Sequence, residues 1–142
     1  MFPKIVEDFS NGNRVDAQKT VKNTLKITIF VCGVLTALMA IFPNATTNLF
    51  FGSQYHIGSL LSIYVIATFF LCVASILMMY DLAVKRYDFI VVFSALAIIL
   101  VYQITQLHQS LYQVAWTLFV IDLIVLLFML GYNKKMLTEK VF

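Results

Sequence analysis

Charge is what this chain has least of. Only 12% of its 142 residues are Asp, Glu, Lys or Arg, while 61% are hydrophobic and the mean hydropathy is +0.90. Soluble domains run nearer a quarter charged and half apolar, so the composition argues against a water-soluble globule. Basic residues are missing from whole stretches: residues 43–56 and 108–113 hold no Lys or Arg. Catalytic patterns are missing too. There is no Gly-rich phosphate loop, no zinc spacing and no Ser/His/Asp set at one depth, so no catalytic residue is assigned and no enzyme is expected. No cofactor is expected either. The net charge of +3 is spread along the flanks of apolar runs, which speaks against nucleic-acid binding. No internal repeat and no low-complexity tract occurs, and no apolar run is broken by the Pro and Gly interruptions that mark broken-helix transporter sites.

Long apolar runs are what the chain does have. Residues 27–42, 57–80, 89–107 and 114–132 form four of them, sixteen, twenty-four, nineteen and nineteen residues long. At about 1.5 Å per residue, nineteen residues cover the thickness of a hydrocarbon layer, and Lys26 can reach the interface on its long stem. The runs lack the alternation of barrel strands. The expected fold is all-α, a transmembrane four-helix up-down bundle. Residues 1–26 form a cytoplasmic N-terminal segment, 27–132 the four-span domain and 133–142 a cytoplasmic tail.

The basic residues set the expected orientation. All ten lie in the N-terminal segment, in the turn at Lys85 and Arg86, or in the tail at Lys134, Lys135 and Lys140. The positive-inside rule then puts both termini in the cytoplasm. Phe42, Phe50, Phe51, Tyr55, Tyr112 and Trp116 cluster near the expected outer interface, and Tyr80, Tyr87 and Tyr132 near the inner one. The short second and third connections predict antiparallel neighbours. Residues 43–56 read as a loop with at most one helical turn. Their Asn44-Ala45-Thr46 sequon stands too close to span one for modification to be expected. The N-terminal segment is too long and too polar for a cleavable signal. Its Phe2, Ile5, Val6 and Phe9 share a helical face, which reads either as an anchor on the inner leaflet or as a loosely held terminus. A second helical stretch from about Val15 runs into span one.

Small and polar residues predict the packing faces: Gly33, Thr36, Ala37 and Ala40 in span one, and Tyr64, Thr68, Cys72, Ser75 and Met79 in span two. Span three adds Ser94, Ala97, Tyr102, Gln103, Thr105, Gln106 and Gln109. These are expected to point inward, where close packing and hydrogen bonds hold lipid-embedded helices together.

Asp122 is the one ionisable residue near the middle of a span. A central Asp costs about 2.5–3.5 kcal/mol on insertion, each Leu, Ile, Val or Phe returns about 0.3–0.6, and span four has enough of them to insert. Thr36, Tyr64, Thr68 and Gln103 reach comparable depths, and no cation does. Hydrocarbon then favours the neutral acid, which can donate a hydrogen bond to Thr36, Tyr64 or Gln103. Asp122 reads as a proton-coupling site or as polar glue between helices. His56 and His108 lie at the outer helix ends, as weak haem or metal candidates or as solvated interfacial side chains. Cys32 and Cys72 read as packing thiols without a disulfide. Asp81, Lys85, Arg86 and Asp88 read as a solvated, topology-setting turn or as a headgroup contact.

Phe42-Pro43, then Leu49-Phe50-Phe51-Gly52 before span two, the short basic turn after it and the Asp in span four together resemble small bacterial membrane proteins of the DoxX-like kind. The resemblance covers most of residues 28–132. It implies a four-helix fold in the bacterial inner (plasma) membrane and little about activity. An Arg early in span two is frequent in that pattern, whereas this chain has Ser59 and Ser62 there. Two functions follow as expectations. One is a non-enzymatic membrane protein acting through helix contacts, as a homo-oligomer or with a protein partner in the lipid bilayer. The other is a small proton-coupled transporter using Asp122.

Overall fold

The computed structural model describes residues 3, 5–7, 12–52, 57–106, 110–134 and 137. Among these the protein is all-helical, with no strand. Five helices follow in order: α1 (Arg14–Ile41), α2 (Pro43–Phe51), α3 (Gly58–Ala83), α4 (Asp88–Gln106) and α5 (Leu111–Tyr132). Four of them, α1, α3, α4 and α5, are long and apolar enough to cross a membrane. Helix α1 is continuous through 28 residues, about 42 Å, and projects more than two turns beyond its apolar run.

Local chemistry places the helix ends. Pro43 cannot continue α1, and the Phe42 N–H closes that helix on the Leu38 carbonyl. The same proline is favourable at the start of a helix, so α2 begins at once. Residues 43–56 were expected to hold one helical turn at most; α2 instead runs nine residues. The hydroxyls of Thr46 and Thr47 donate back to the carbonyls of Phe42 and Pro43 at 3.0 and 2.7 Å, so these polar side chains sit inside the helix without outside partners. Gly52 ends α2 at φ +86°, a conformation open to glycine at little cost. Ser110 caps α5 by accepting from the Tyr112 N–H.

Helix α2 folds back onto the start of α3. A Cβ at Gly58 would stand 2.6 Å from Asn44 Oδ1, the end of a side chain that can turn aside, and 3.3 Å from Pro43 Cβ, so the contact leaves little room beyond a methyl. Gly58→Leu is expected to push α2 off α3 and lower stability by about 1–2 kcal/mol. A thermal melt in detergent micelles measures this.

Helices α3 and α5 form the central pair, and they run parallel. Ser59 and Tyr112 share a hydrogen bond near their starts, and Asn133 reaches Asp81 near their ends. Small buried residues, Ala67 and Ala74 on α3 and Ala115 on α5, permit close approach. Helix α1 packs on α3, and α4 packs on α5. The helices alternate up and down as expected. The sequence-adjacent pair α3 and α4, however, stands apart at mid-length, because α5 is the neighbour that each helix packs against.

The core occupies the half nearer the basic turn. There Val21 and Leu25 of α1 meet Val73, Leu77 and Tyr80 of α3, Phe89 of α4 and Val125 and Met129 of α5. Ile5 joins this cluster at 0% exposure. The N-terminal segment is therefore docked on the bundle at Ile5, while its Phe2 and Phe9 lie outside the described residues. In α4 only Phe89, in the first turn, is buried. That helix is anchored at its base, and above it Leu96 and Leu100 pack partly buried against the core.

The polar stripes expected to point inward do so only in part: Gly33 lies against the Phe69 ring of α3, and Thr36, Ala40, Ser75 and Gln103 are half-buried. Tyr64, Thr68, Cys72 and Met79 of α3 are exposed, as are Ala37 of α1 and Ser94, Ala97, Tyr102, Thr105 and Gln106 of α4. The reason is local satisfaction. Thr68, Ser75 and Thr105 donate to carbonyls of their own helices at 2.7–2.9 Å, and so need no partner across an interface. With that need removed, apolar side chains of better shape take the interior.

Candidate functional site

The separation of α3 from α4 leaves a cleft of about 310 Å³, with α5 as its floor. Asp122 lies on that floor. Around it stand Leu118, Ile121 and Val125 of α5, Ala67 and Leu71 of α3, and Phe93, Leu96, Ala97 and Leu100 of α4. Tyr64 and Thr68 of α3 complete the wall, so three of the five residues expected at a polar site share one cleft. The other two, Thr36 on α1 and Gln103 on α4, do not line it. No hydrogen bond joins the half-buried Asp122 carboxyl to any described residue.

A second cavity of about 280 Å³ lies between α3 and α5, with Ile57, Leu60 and Leu61 facing Leu111, Val114 and Ala115. It shares Tyr64 and Leu118 with the first, so the two adjoin. Together they run from the starts of both helices to the level of Val125.

The other sequence candidates gather no site. His56 and His108 lie outside the described residues. Cys32 is half-buried and Cys72 exposed, and both are free thiols. Among the described residues no group of three or more His, Cys, Asp or Glu is placed to hold a metal.

A second polar centre, which the sequence reading treated as a solvated turn, sits at the opposite end of the core. Asp81 is 0% exposed and Asn133 1%. Asn133 Nδ2 donates to Asp81 Oδ2 at 2.7 Å and to the Met129 carbonyl at 3.3 Å. Arg86 Nη1 stands 4.0 Å from Asp81 Oδ1, and its guanidinium lies 4.5 Å over the Tyr132 ring. The Tyr132 hydroxyl in turn donates to Asp88 Oδ2 at 3.1 Å. Lys85 takes φ +59° to turn the chain, and the Arg86 N–H closes the turn on the Asp81 carbonyl at 2.9 Å. This network fastens the end of α3, the start of α4 and the end of α5 together. The available signal was positional: Asp81 and Asn133 each follow a long apolar run by one residue.

In comparisons with known proteins, no family model, no curated protein and no solved structure matches the chain.

Proposed function

We propose that the protein is a small, non-enzymatic, multi-pass protein of the bacterial inner membrane, with both termini cytoplasmic, that couples proton movement to transport at Asp122. The observation that carries this is the cleft, which gathers Asp122, Tyr64 and Thr68 where α4 stands away from α3. An intramembrane acid is costly and is kept where it faces an opening rather than lipid alone. Hinging α4 on its buried Phe89 would open and close access to the carboxyl. The location is supported by the four apolar helices and by the sequence positions of all ten basic residues, in segments that four spans would leave on one side. The DoxX-like resemblance points to the same membrane.

The test is a pH jump across proteoliposomes with a pH-sensitive dye inside. The expected result is proton uptake above empty vesicles that Asp122→Asn removes and Asp122→Glu partly keeps. Uptake unchanged in Asp122→Asn would end the reading.

One observation favours a second reading, assembly through helix contacts as an oligomer or accessory subunit. Helices α1 and α4 expose large apolar side chains along most of their length, including Phe30, Leu38, Val91 and Ile98. Lipid or a partner helix covers such surface equally well on composition. Recovery of a fixed stoichiometric complex in mild detergent, with no proton uptake, would favour assembly.

A further inference from the structure

We infer that the Asp122 cleft binds a lipophilic amine in its protonated form, with the nitrogen at the carboxyl and the apolar body along the α3–α5 groove. This rests on the reading of the cleft as the working site and names the chemistry of what enters it.

Charge complementarity is the first ground. Among the described residues Asp122 is the only formal charge lining the cleft, and none of them is its hydrogen-bond partner. Every Lys and Arg of the chain lies outside the apolar runs, so no cation of its own is available at that depth. A carboxylate held among apolar walls is satisfied by a positive group with N–H donors, which must be brought by a ligand.

The walls say what else the ligand carries. Apart from Tyr64 and Thr68, every residue around the carboxyl is apolar. A hydrated metal ion would find one carboxylate and no further ligand cage, whereas an alkyl- or arylamine leaves water and meets matching surface. Thr68 spends its hydroxyl proton on the Tyr64 carbonyl at 2.9 Å, which leaves its oxygen free to accept from an ammonium. The space also has the right size. About 310 Å³ lies at the lower bound of small-molecule sites, and the adjoining apolar cavity of about 280 Å³ extends it. A lipid acyl chain would fit the groove, but it gives the carboxyl nothing.

The same carboxyl takes a proton or the amine, not both. Among the described residues Tyr64 on α3 is the only other titratable group on the cleft; α4 contributes Phe93, Leu96, Ala97 and Leu100, and none of these titrates. Amine binding therefore weakens as pH falls and Asp122 is protonated, and bound amine is released by protons.

Binding of 1-naphthylmethylamine to the full chain in zwitterionic nanodiscs, read by fluorescence, tests this against its neutral analogue 1-naphthylmethanol. Saturable amine binding is expected, with Asp122→Asn weakening it about 10- to 100-fold, the worth of a hydrogen bond to a charged group. Ala97→Phe, which fills the cleft and keeps the carboxyl, is expected to weaken it as strongly and guards against a misfolded Asp122→Asn. Equal binding of amine and alcohol, or amine binding unchanged in both variants, would overturn the inference and leave a lipid-filled groove. Proton uptake in proteoliposomes is scored separately. Asp122-dependent uptake without amine binding refutes the ligand and leaves the coupling reading standing; amine binding without uptake does the reverse.

Discussion

Asn133→Ala is expected to cost about 2–3 kcal/mol of stability, the penalty for leaving a buried charged acceptor without its donor. Among the described residues, the Asn133 amide is the side chain that donates to Asp81 Oδ2, at 2.7 Å. Arg86 does not replace it, because its Nη1 is 4.0 Å from the other oxygen and its side chain is 44% exposed. Among the described residues, Asp81 Oδ1 and Asn133 Oδ1 already lack hydrogen-bond partners, so none of these supplies a spare donor there. Removing both members should be far milder than removing one. Asp81→Leu combined with Asn133→Leu fills the same buried space with apolar atoms and strands no polar group, so most of the loss should return. Denaturant titration in mixed micelles gives the two numbers. A single-variant loss under about 0.5 kcal/mol, or a double variant no better than the single, would show that the pair does not hold α3 to α5.

The sequence is most informative about the elements that follow from hydrophobic length alone. Four apolar runs predict α1, α3, α4 and α5, because a run of that length has few other structures that satisfy its backbone. Similar depth is compatible with the sharing of one cleft by Asp122, Tyr64 and Thr68 but does not decide it, since Thr36 and Gln103 at comparable depth do not line that cleft. What was not legible is which helix stands beside which. Short connections link α3 to α4, yet the buried alanines let α5 approach α3 closely, and the cleft is what remains. Polarity also misleads as a guide to the inside of this bundle. Thr68, Ser75 and Thr105 bond to their own helices, so a hydroxyl stripe carries no instruction to face a neighbour. The centre at Asp81 was hidden because a charged residue just past an apolar run reads as solvated, and its buried partner Asn133 lies 52 residues away in sequence.

That arrangement has a mechanical consequence. Packing and the polar centre fix the helices in the basic half, where α4 buries its single residue Phe89. In the half carrying Asp122, α4 buries no described residue fully, and only the partly buried Leu96 and Leu100 pack it against the core. A rigid base under an open cleft lets α4 move without unfolding the bundle, and substitutions in the base should lower stability before they alter the cleft.

Leu77→Ala is the sharpest probe of that base. Leu77 is 0% exposed and belongs to the cluster formed by α1, α3, α4 and α5, so the void it leaves cannot be closed by moving one helix. A loss of about 3 kcal/mol is expected, within the range for buried Leu→Ala. Ile5 is buried to the same degree, yet its replacement should behave differently. Ile5 precedes α1 in the chain, and Gly12 at φ +79° turns the backbone just before that helix starts. Ile5→Ala should cost only about 1 kcal/mol of global stability, because undocking caps the loss. It should also speed trypsin cleavage at Arg14 several-fold, which Leu77→Ala should not do under native conditions. Equal global losses from the two variants, with no change in cleavage, would mean that the N-terminal segment is an inseparable part of the core.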